Sequence, residues 1–244
     1  MNNRTIVKNL LVKVFLLKDI KEEKMKTELS YLIDKTLNKT EEYRKFHNDK
    51  KVKFYSFDKL KPYEEDYIYK KDNIYTFNIR TVNERLSKYI LENLRDEVSL
   101  SIKVLTIVEK DFNCMFIEKI YSITPVVLTF FDANKEKVYY WENEKNLLDV
   151  LKRIQESLIL KYNSFYNSDV PLDTSIFSRI SRKNKFPIPQ KYKNITMSTD
   201  MFELEVSSSV HAQRIAYFAC GVGVGGKNSR GFGFVNPKKM IVRK

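Results

Sequence analysis

The chain has 244 residues, enough for one large domain or two of roughly 100–150 residues. Hydrophobic residues make up 43% and aromatics 13%, ample for a packed core, which excludes a disordered or fibrous chain. Forty-four Lys+Arg against 31 Asp+Glu give a formal charge of +13, a balance that suits a polyanionic partner, nucleic acid or an anionic membrane surface, although an AT-rich genome produces the same lysine excess without a functional cause. Cys114 and Cys220, each in an apolar context, are expected to be reduced, buried thiols, and with two histidines they do not make up a structural zinc site. The apolar run Leu10–Leu17 is broken by Lys13 and has no small-residue cleavage site, so neither a signal peptide nor a membrane span is expected. The expectation is a soluble, cytoplasmic protein with no membrane partner, no metal and no cofactor.

In chain order, Leu10–Leu17 predicts a central strand, apolar, β-rich and bounded by charge. Residues 22–38 switch to helical spacing, with Met25, Leu29, Leu32, Ile33 and Leu37 on one face. Lys51–Phe57 and Ile74–Ile79 predict two strands joined by a charged loop around Lys61–Asp72. Thr81-Val-Asn-Glu84 fits a capping box that opens a helix with Val82, Leu86, Tyr89 and Ile90 inward. Val98–Ile107 alternates, with Val98, Leu100, Ile102 and Val104 on one face. Strand, helix, strand, strand, helix, strand is the split βαβ, or ferredoxin-like, order.

A second unit begins near Phe112. Tyr121–Phe131 predicts a strand that includes Pro125, hence an edge or entry position. Residues 143–163 predict an amphipathic helix with Leu147, Leu151, Ile154 and Leu158 in register. Ser178–Lys193 is basic and proline-containing, a loop or an irregular hairpin; Ile195–Val206 predicts a strand. Residues 209–220 predict a short helix with Ala212, Ile215, Ala216 and Ala219 on one face, and Phe232–Val235 a last strand. The fold class is therefore α+β, two tandem ferredoxin-like (RRM-like) domains at 1–111 and 112–244. Any duplication is visible only as element order.

All six glycines lie between Gly221 and Gly233. Glycine is needed where φ is positive or where another backbone must come close, so one special loop is being built. The loop also carries Lys227, Asn228, Ser229 and Arg230. Backbone N–H groups, two cations and two small polar side chains describe an anion cradle, with phosphate the best match. Gly221-x-Gly223-x-x-Gly226 satisfies the dinucleotide fingerprint literally, but a helix precedes it, a strand follows, and no acidic residue comes about 20 positions on. A P-loop fails too, because Gly226-Lys227 is followed by Asn228 and by no helix.

Gly223-Val-Gly225-(x)5-Gly231-Phe-Gly233, hydrophobic at both middle positions and basic in the spacer, resembles the C-terminal glycine-rich motif of the CRISPR-associated endoribonuclease that processes precursor CRISPR RNA, the sixth of the Cas proteins, in the RAMP superfamily. Phe46-His47 followed by Lys53-Phe-Tyr-Ser-Phe57 resembles that family's His-containing helix end and the aromatic strand after it. Ile123-Thr124-Pro125-Val126 resembles the start of its second domain. These anchor points cover most of the chain, and the family's two ferredoxin-like folds match the element order.

The resemblance implies metal-independent cleavage of CRISPR repeat RNA. A 2′-OH attacks the adjacent phosphate, giving a 2′,3′-cyclic phosphate and a 5′-OH and releasing guide RNAs. Such chemistry needs an acid or base near neutrality and a cation for the developing phosphorane charge. His47 fits the first role and Lys53 the second. The family's tyrosine on the first helix matches nearer Leu32–Asp34 than Tyr31, so no third member is assigned. Gly223, Gly225, Gly226, Lys227, Asn228, Ser229, Arg230, Gly231 and Gly233 are the expected RNA grip, and Arg179, Arg182, Lys183 and Lys185 form the densest other cationic cluster. The tail Pro237–Lys244 adds non-specific attraction. His211, on the helix that feeds the glycine loop, reads as a helix-surface residue with no chemistry, with contact to RNA as the alternative. The aromatic signature of an ordinary RNA-recognition motif is absent. Other Cas proteins of an effector complex and a second copy of the chain are further partners the resemblance allows. A non-catalytic RAMP-type subunit that binds guide RNA, and a general RNA-binding module, stay open as alternatives.

Overall fold

Alternation builds the first strand. In β1 (Lys8–Leu16) Leu10, Val12, Val14 and Leu16 are buried, and Leu11, Lys13 and Phe15 lie on the opposite face. The computed structural model describes residues 5–114, 116–131, 138–140, 146–192 and 195–240. After β1 come β2 (Ile20–Lys21), α1 (Glu22–Leu37), α2 (Glu41–Asn48), β3 (Tyr55–Phe57), β4 (Ile68–Tyr69), β5 (Ile74–Thr81), α3 (Glu84–Asn93) and β6 (Ile102–Lys110). One antiparallel sheet has the order β3-β5-β1-β6, and β2 pairs with β4 beside it. Met25, Leu29, Leu32 and Ile33 of α1 and Leu86 and Ile90 of α3 share one buried cluster with Leu10, Val12, Phe57 and Phe77 of the sheet.

The second half runs β7 (Ile117–Ser122), β8 (Thr129–Phe131), β9 (Val138–Tyr140), α4 (Leu147–Tyr166), β10 (Phe177–Arg182), β11 (Ile188–Tyr192), β12 (Ile195–Thr199), β13 (Phe202–Val206), α5 (Val210–Val222) and β14 (Val235–Lys239). Its antiparallel sheet has the order β10-β13-β7-β14, while β8 with β9 and β11 with β12 form inserted hairpins. Counting each half's four main strands in chain order, both sheets read second, third, first, fourth. The fold is α+β, with the ferredoxin-like arrangement occurring twice in tandem.

Side-chain caps set where helices begin. Thr40 Oγ1 accepts from Tyr43 N–H (3.5 Å), Asn83 Oδ1 from Leu86 N–H (3.1 Å), Asn146 Oδ1 from Leu148 N–H (3.0 Å) and Ser209 Oγ from Ala212 N–H (3.2 Å). The expected box at Thr81 is displaced: Thr81 Oγ1 donates to Phe54 O (2.8 Å) and accepts from Asn83 N–H (3.0 Å), leaving Asn83 as the cap.

Other boundaries differ for local reasons. β6 starts at Ile102, and Val98 and Leu100 are 41% and 86% exposed, because Ser99 Oγ accepts from the N–H groups of Ser101 and Ile102 and turns the chain. The strand expected over Lys51–Phe57 shortens to β3, since Phe54 takes φ +52°. Tyr121–Phe131 divides, with Pro125 outside β7 and β8, because proline has no N–H for a ladder. Ile195–Val206 divides at Asp200, whose carbonyl accepts from Val126 N–H (2.8 Å). The last strand begins at Val235, after Phe232 and Phe234 are buried in the preceding turn. Cys220 is buried and Cys114 half-buried, both free thiols. Residues 143–145 of the expected helix, Lys193 and residues 241–244 of the basic tail lie outside the described residues. Among the described residues no helix is long and apolar enough to cross a membrane.

The two halves meet along β3 and β5. Ser56 Oγ of β3 donates to Gly221 O at the end of α5 (3.1 Å). Arg80 of β5 donates to Val235 O and Asn236 Oδ1 (2.9 Å each) and to Asn9 Oδ1 (3.0 Å), with its guanidinium 4.3 and 4.4 Å from the ring centres of Phe112 and Phe234.

Candidate active site and glycine loop

Gly223 ends α5 at φ +77°, and the loop that follows returns on itself before β14. Val224 N–H donates to Gly233 O (2.9 Å), Gly226 N–H to Val127 O (2.8 Å) and Gly233 N–H to Pro125 O (2.9 Å). Gly233 sits at φ +64°, where a Cβ would overlap the Val224 carbonyl. Asn228 is buried, and its amide donates to Val224 O (2.8 Å) and Phe232 O (3.0 Å). The N–H groups of Gly223, Gly226, Gly231 and Gly233 are thus taken by carbonyls of Ala219, Val127, Asn228 and Pro125, while the Asn228 amide bridges the loop from inside. The open backbone cradle expected from the sequence is narrower than the glycine count suggests.

Beneath the loop lies a group that sequence reasoning missed. Lys161 of α4 is buried, and its Nζ donates to Gly225 O (2.6 Å), Asn228 Oδ1 (2.7 Å) and Gly223 O (3.2 Å). Burial pushes its amine down to about 7, while the three oxygens favour the ammonium form. The signal was present: Lys161 continues the apolar stripe Ile154, Leu158, where a charged residue needs a buried partner.

The loop's tip crosses to the first half of the chain. Gly231, at φ +79°, leaves room for Phe57, which would lie 2.7 Å from a Cβ there. Ser229 hydrogen-bonds with the Tyr55 hydroxyl, whose burial pushes its pKa well up. Arg230 Nη1 forms an ion pair with Asp34 Oδ2 of α1. The other oxygen of that carboxylate, Oδ1, lies 3.3 Å from His47 Nδ1, in the last turn of α2. Lys53 Nζ donates to the carbonyls of Phe46 and Asp49, groups the end of α2 leaves without helical partners, and stands 4.9 Å over the Phe46 ring. Burial is the main cause that lowers the Lys53 pKa, and the nearby Arg230 charge adds to it.

His47, Lys53, Ser229 and Arg230, read from distant stretches of sequence, thus gather around Asp34 and Tyr55. Each is half-buried: the side chains of His47, Asp34 and Arg230 are 18%, 21% and 26% exposed. An acid/base group beside two guanidinium and ammonium cations can exchange a proton and meet a phosphate. Lys227 takes the left-handed conformation at the start of the 3₁₀ turn Asn228–Arg230. Arg179 and Arg182 lie on β10, with Lys183 and Lys185 just after it, on the far edge of the second sheet from β14. Arg179 pairs with Glu205 and Lys183 with Glu203, both at 3.8 Å. His211 is exposed in the first turn of α5, a helix-surface position about 17 Å along the helix from its loop end.

Comparison with known proteins supplies the relationship. The family profile described as "CRISPR associated protein Cas6, C-terminal" matches residues 108–237. A relative in Methanocaldococcus jannaschii, the "CRISPR-associated endoribonuclease Cas6 2", is 28% identical over 216 residues, covering 84% of this chain and 88% of the relative. Among solved structures, a "CRISPR associated protein Cas6" aligns with a TM-score of 0.72 at 18% identity, over 96% of this chain and 100% of that one. "An RAMP protein binding different RNA substrates" aligns at 0.71 and 19% identity, over 95% and 100%. A Cas6-related protein from Pyrococcus furiosus aligns at 0.67 and 20%, over 95% and 98%. The structural likenesses carry the fold; the profile, which spans more than half of the chain and takes in the whole glycine loop, carries the family. This chain belongs to the Cas6 family of CRISPR-associated proteins.

Proposed function

We propose that the protein is a metal-independent endoribonuclease that cuts CRISPR repeat RNA within precursor transcripts to release guide RNAs. The observation that carries it is the meeting of His47, from the first half of the chain, with Arg230 of the glycine loop through one carboxylate. A loop that grips RNA gains a proton-transfer group at its tip. The M. jannaschii relative, named as an endoribonuclease, supports the same activity.

The 2′-oxygen attacks the adjacent phosphorus, and the P–O5′ bond breaks. His47 takes the 2′-OH proton and returns a proton to the departing 5′-oxygen, leaving a 2′,3′-cyclic phosphate and a 5′-OH. Lys53 and Arg230 stabilise the charge that builds on the phosphorane oxygens. Lys227, Ser229 and the exposed basic residues of the second half, Arg179, Lys183 and Lys185 among them, attract the RNA backbone. Such a substrate places the protein in the cytoplasm.

The test incubates repeat RNA with the protein in EDTA, beside His47→Ala and an RNA with one 2′-deoxy sugar at the cut site. Cleavage should persist in EDTA and vanish in the other two arms. Cutting that needs metal, or that tolerates the deoxy sugar, rules out this chemistry. Full cleavage by His47→Ala removes His47 from it. No cleavage by the native chain, with tight binding retained, makes the protein a guide-RNA-binding subunit.

A further inference from the structure

We propose that Asp34 is a positioning residue for cleavage: its carboxylate fixes which nitrogen of His47 carries the proton and holds Arg230 alongside. The inference rests on the nuclease function proposed above and concerns the same site.

Asp34 Oδ1 is buried and accepts no hydrogen bond from any described donor, yet it stands 3.3 Å from His47 Nδ1. An ionised carboxylate can only accept, so the contact becomes a hydrogen bond only when Nδ1 carries the hydrogen. A buried acceptor left alone is costly, and His47 is the group in place to satisfy it. Contacts of this kind are often long without substrate and tighten when it binds. Protonation at Nδ1 leaves Nε2, across the ring, with the free lone pair. Nε2 is then the nitrogen that takes the 2′-OH proton and delivers a proton to the 5′-oxygen.

The second oxygen of the same carboxylate holds Arg230. One side chain on α1 therefore sets the distance between the acid/base group of α2 and the cation of the glycine loop, which come from opposite ends of the sequence. Tyr31, one turn earlier on α1, is 53% exposed. Asp34 is the first-helix residue that faces His47, and it acts through His47 rather than on RNA.

The experiment uses the full chain and its repeat RNA under single turnover, with Asp34→Asn, Asp34→Glu and His47→Ala. Three quantities are read: the cleavage rate, the affinity for an uncleavable 2′-deoxy repeat RNA, and the His47 ring tautomer by 15N NMR. The native ring should be the Nδ1–H tautomer when neutral. Asp34→Asn should shift it toward Nε2–H and slow cleavage roughly 10- to 100-fold, part of what acid/base catalysis supplies, while the deoxy RNA still binds. Asp34→Glu should recover part of the rate. An Nε2–H tautomer in the native protein overturns the proposal whether or not any variant folds. So does Asp34→Asn cutting at the native rate while His47→Ala is inactive. If His47→Ala itself cuts at the native rate, it is the acid/base assignment that fails.

Discussion

Lys53, proposed above to stabilise the phosphorane, also has a part in the fold. Its ammonium closes the end of α2 by binding the Phe46 and Asp49 carbonyls, and that end carries His47. It also lies close enough to Arg230 for the two charges to oppose each other. Arg230 is held by Asp34 and Lys53 by two carbonyls, so both cations are fixed beside His47. Lys53→Ala should lower single-turnover cleavage on the order of 10²-fold, the loss seen when one donor to a developing oxyanion is removed. Lys53→Arg should keep the helix-end contacts and part of the rate. A Lys53→Ala protein that cuts normally would show that the ammonium only caps α2. His47 and Lys53 were singled out in the sequence through the family resemblance of Phe46-His47 and Lys53–Phe57, since His47's own surroundings read as a solvated helix end. Asp34 was not, because an aspartate near the end of an amphipathic helix reads as solvated. Only the fold brings Arg230, 196 positions on, against it.

At the scale of elements, the glycine loop is less an open cradle than a folded plug on α4. Glycines and Asn228 make its internal turns, and Lys161 donates to the oxygens that converge beneath it. Lys161→Met keeps the bulk but leaves three oxygens without a donor, a cost of about 2–4 kcal/mol. Burial sets the sign of the pH effect. The folded amine titrates at about 7, whereas an unfolded lysine titrates at about 10.4. Between those values the unfolded chain binds more protons, so this group's contribution to stability rises with pH and is lost as pH falls toward 7. The Met variant lacks the group. Its stability gap from the native protein should widen as pH rises through that window, by at most ~1.4 kcal/mol per unit. Urea melts of both chains across the window measure this, and a constant gap would refute it. Helices of the loop's surroundings were legible by period, but strand ends were not. Ser99, Thr81 and Asp200 redirect the backbone through hydrogen bonds that no periodicity encodes.

At the scale of the whole molecule, element order was enough to read two ferredoxin-like units, since each sheet buries one face under two helices. Their docking was not legible, because Arg80 in Asn78-Ile-Arg-Thr81 reads as an ordinary strand residue. Its guanidinium instead lies buried between Phe112 and Phe234 and donates to Asn9, Val235 and Asn236. It ties the first sheet to the start of β14, directly after the glycine loop. The site depends on that tie, since His47 and Asp34 belong to one unit and Arg230 to the other. Arg80→Met should preserve apolar contact with the rings yet strand the three acceptors, weakening the junction by about 2–4 kcal/mol. Because the first unit's main cluster is its own, while only Val7 and Val82 of that unit's described buried residues pack into the second unit's cluster, calorimetry should then show a broadened or divided transition, with the calorimetric enthalpy exceeding the van't Hoff value. Cleavage should fall more than RNA affinity, because phosphate attraction is spread over many cations whereas proton transfer needs His47 at one distance from the loop. A single sharp transition with unchanged cleavage would mean that Ser56, Gly221 and the loop tip hold the halves in place without Arg80.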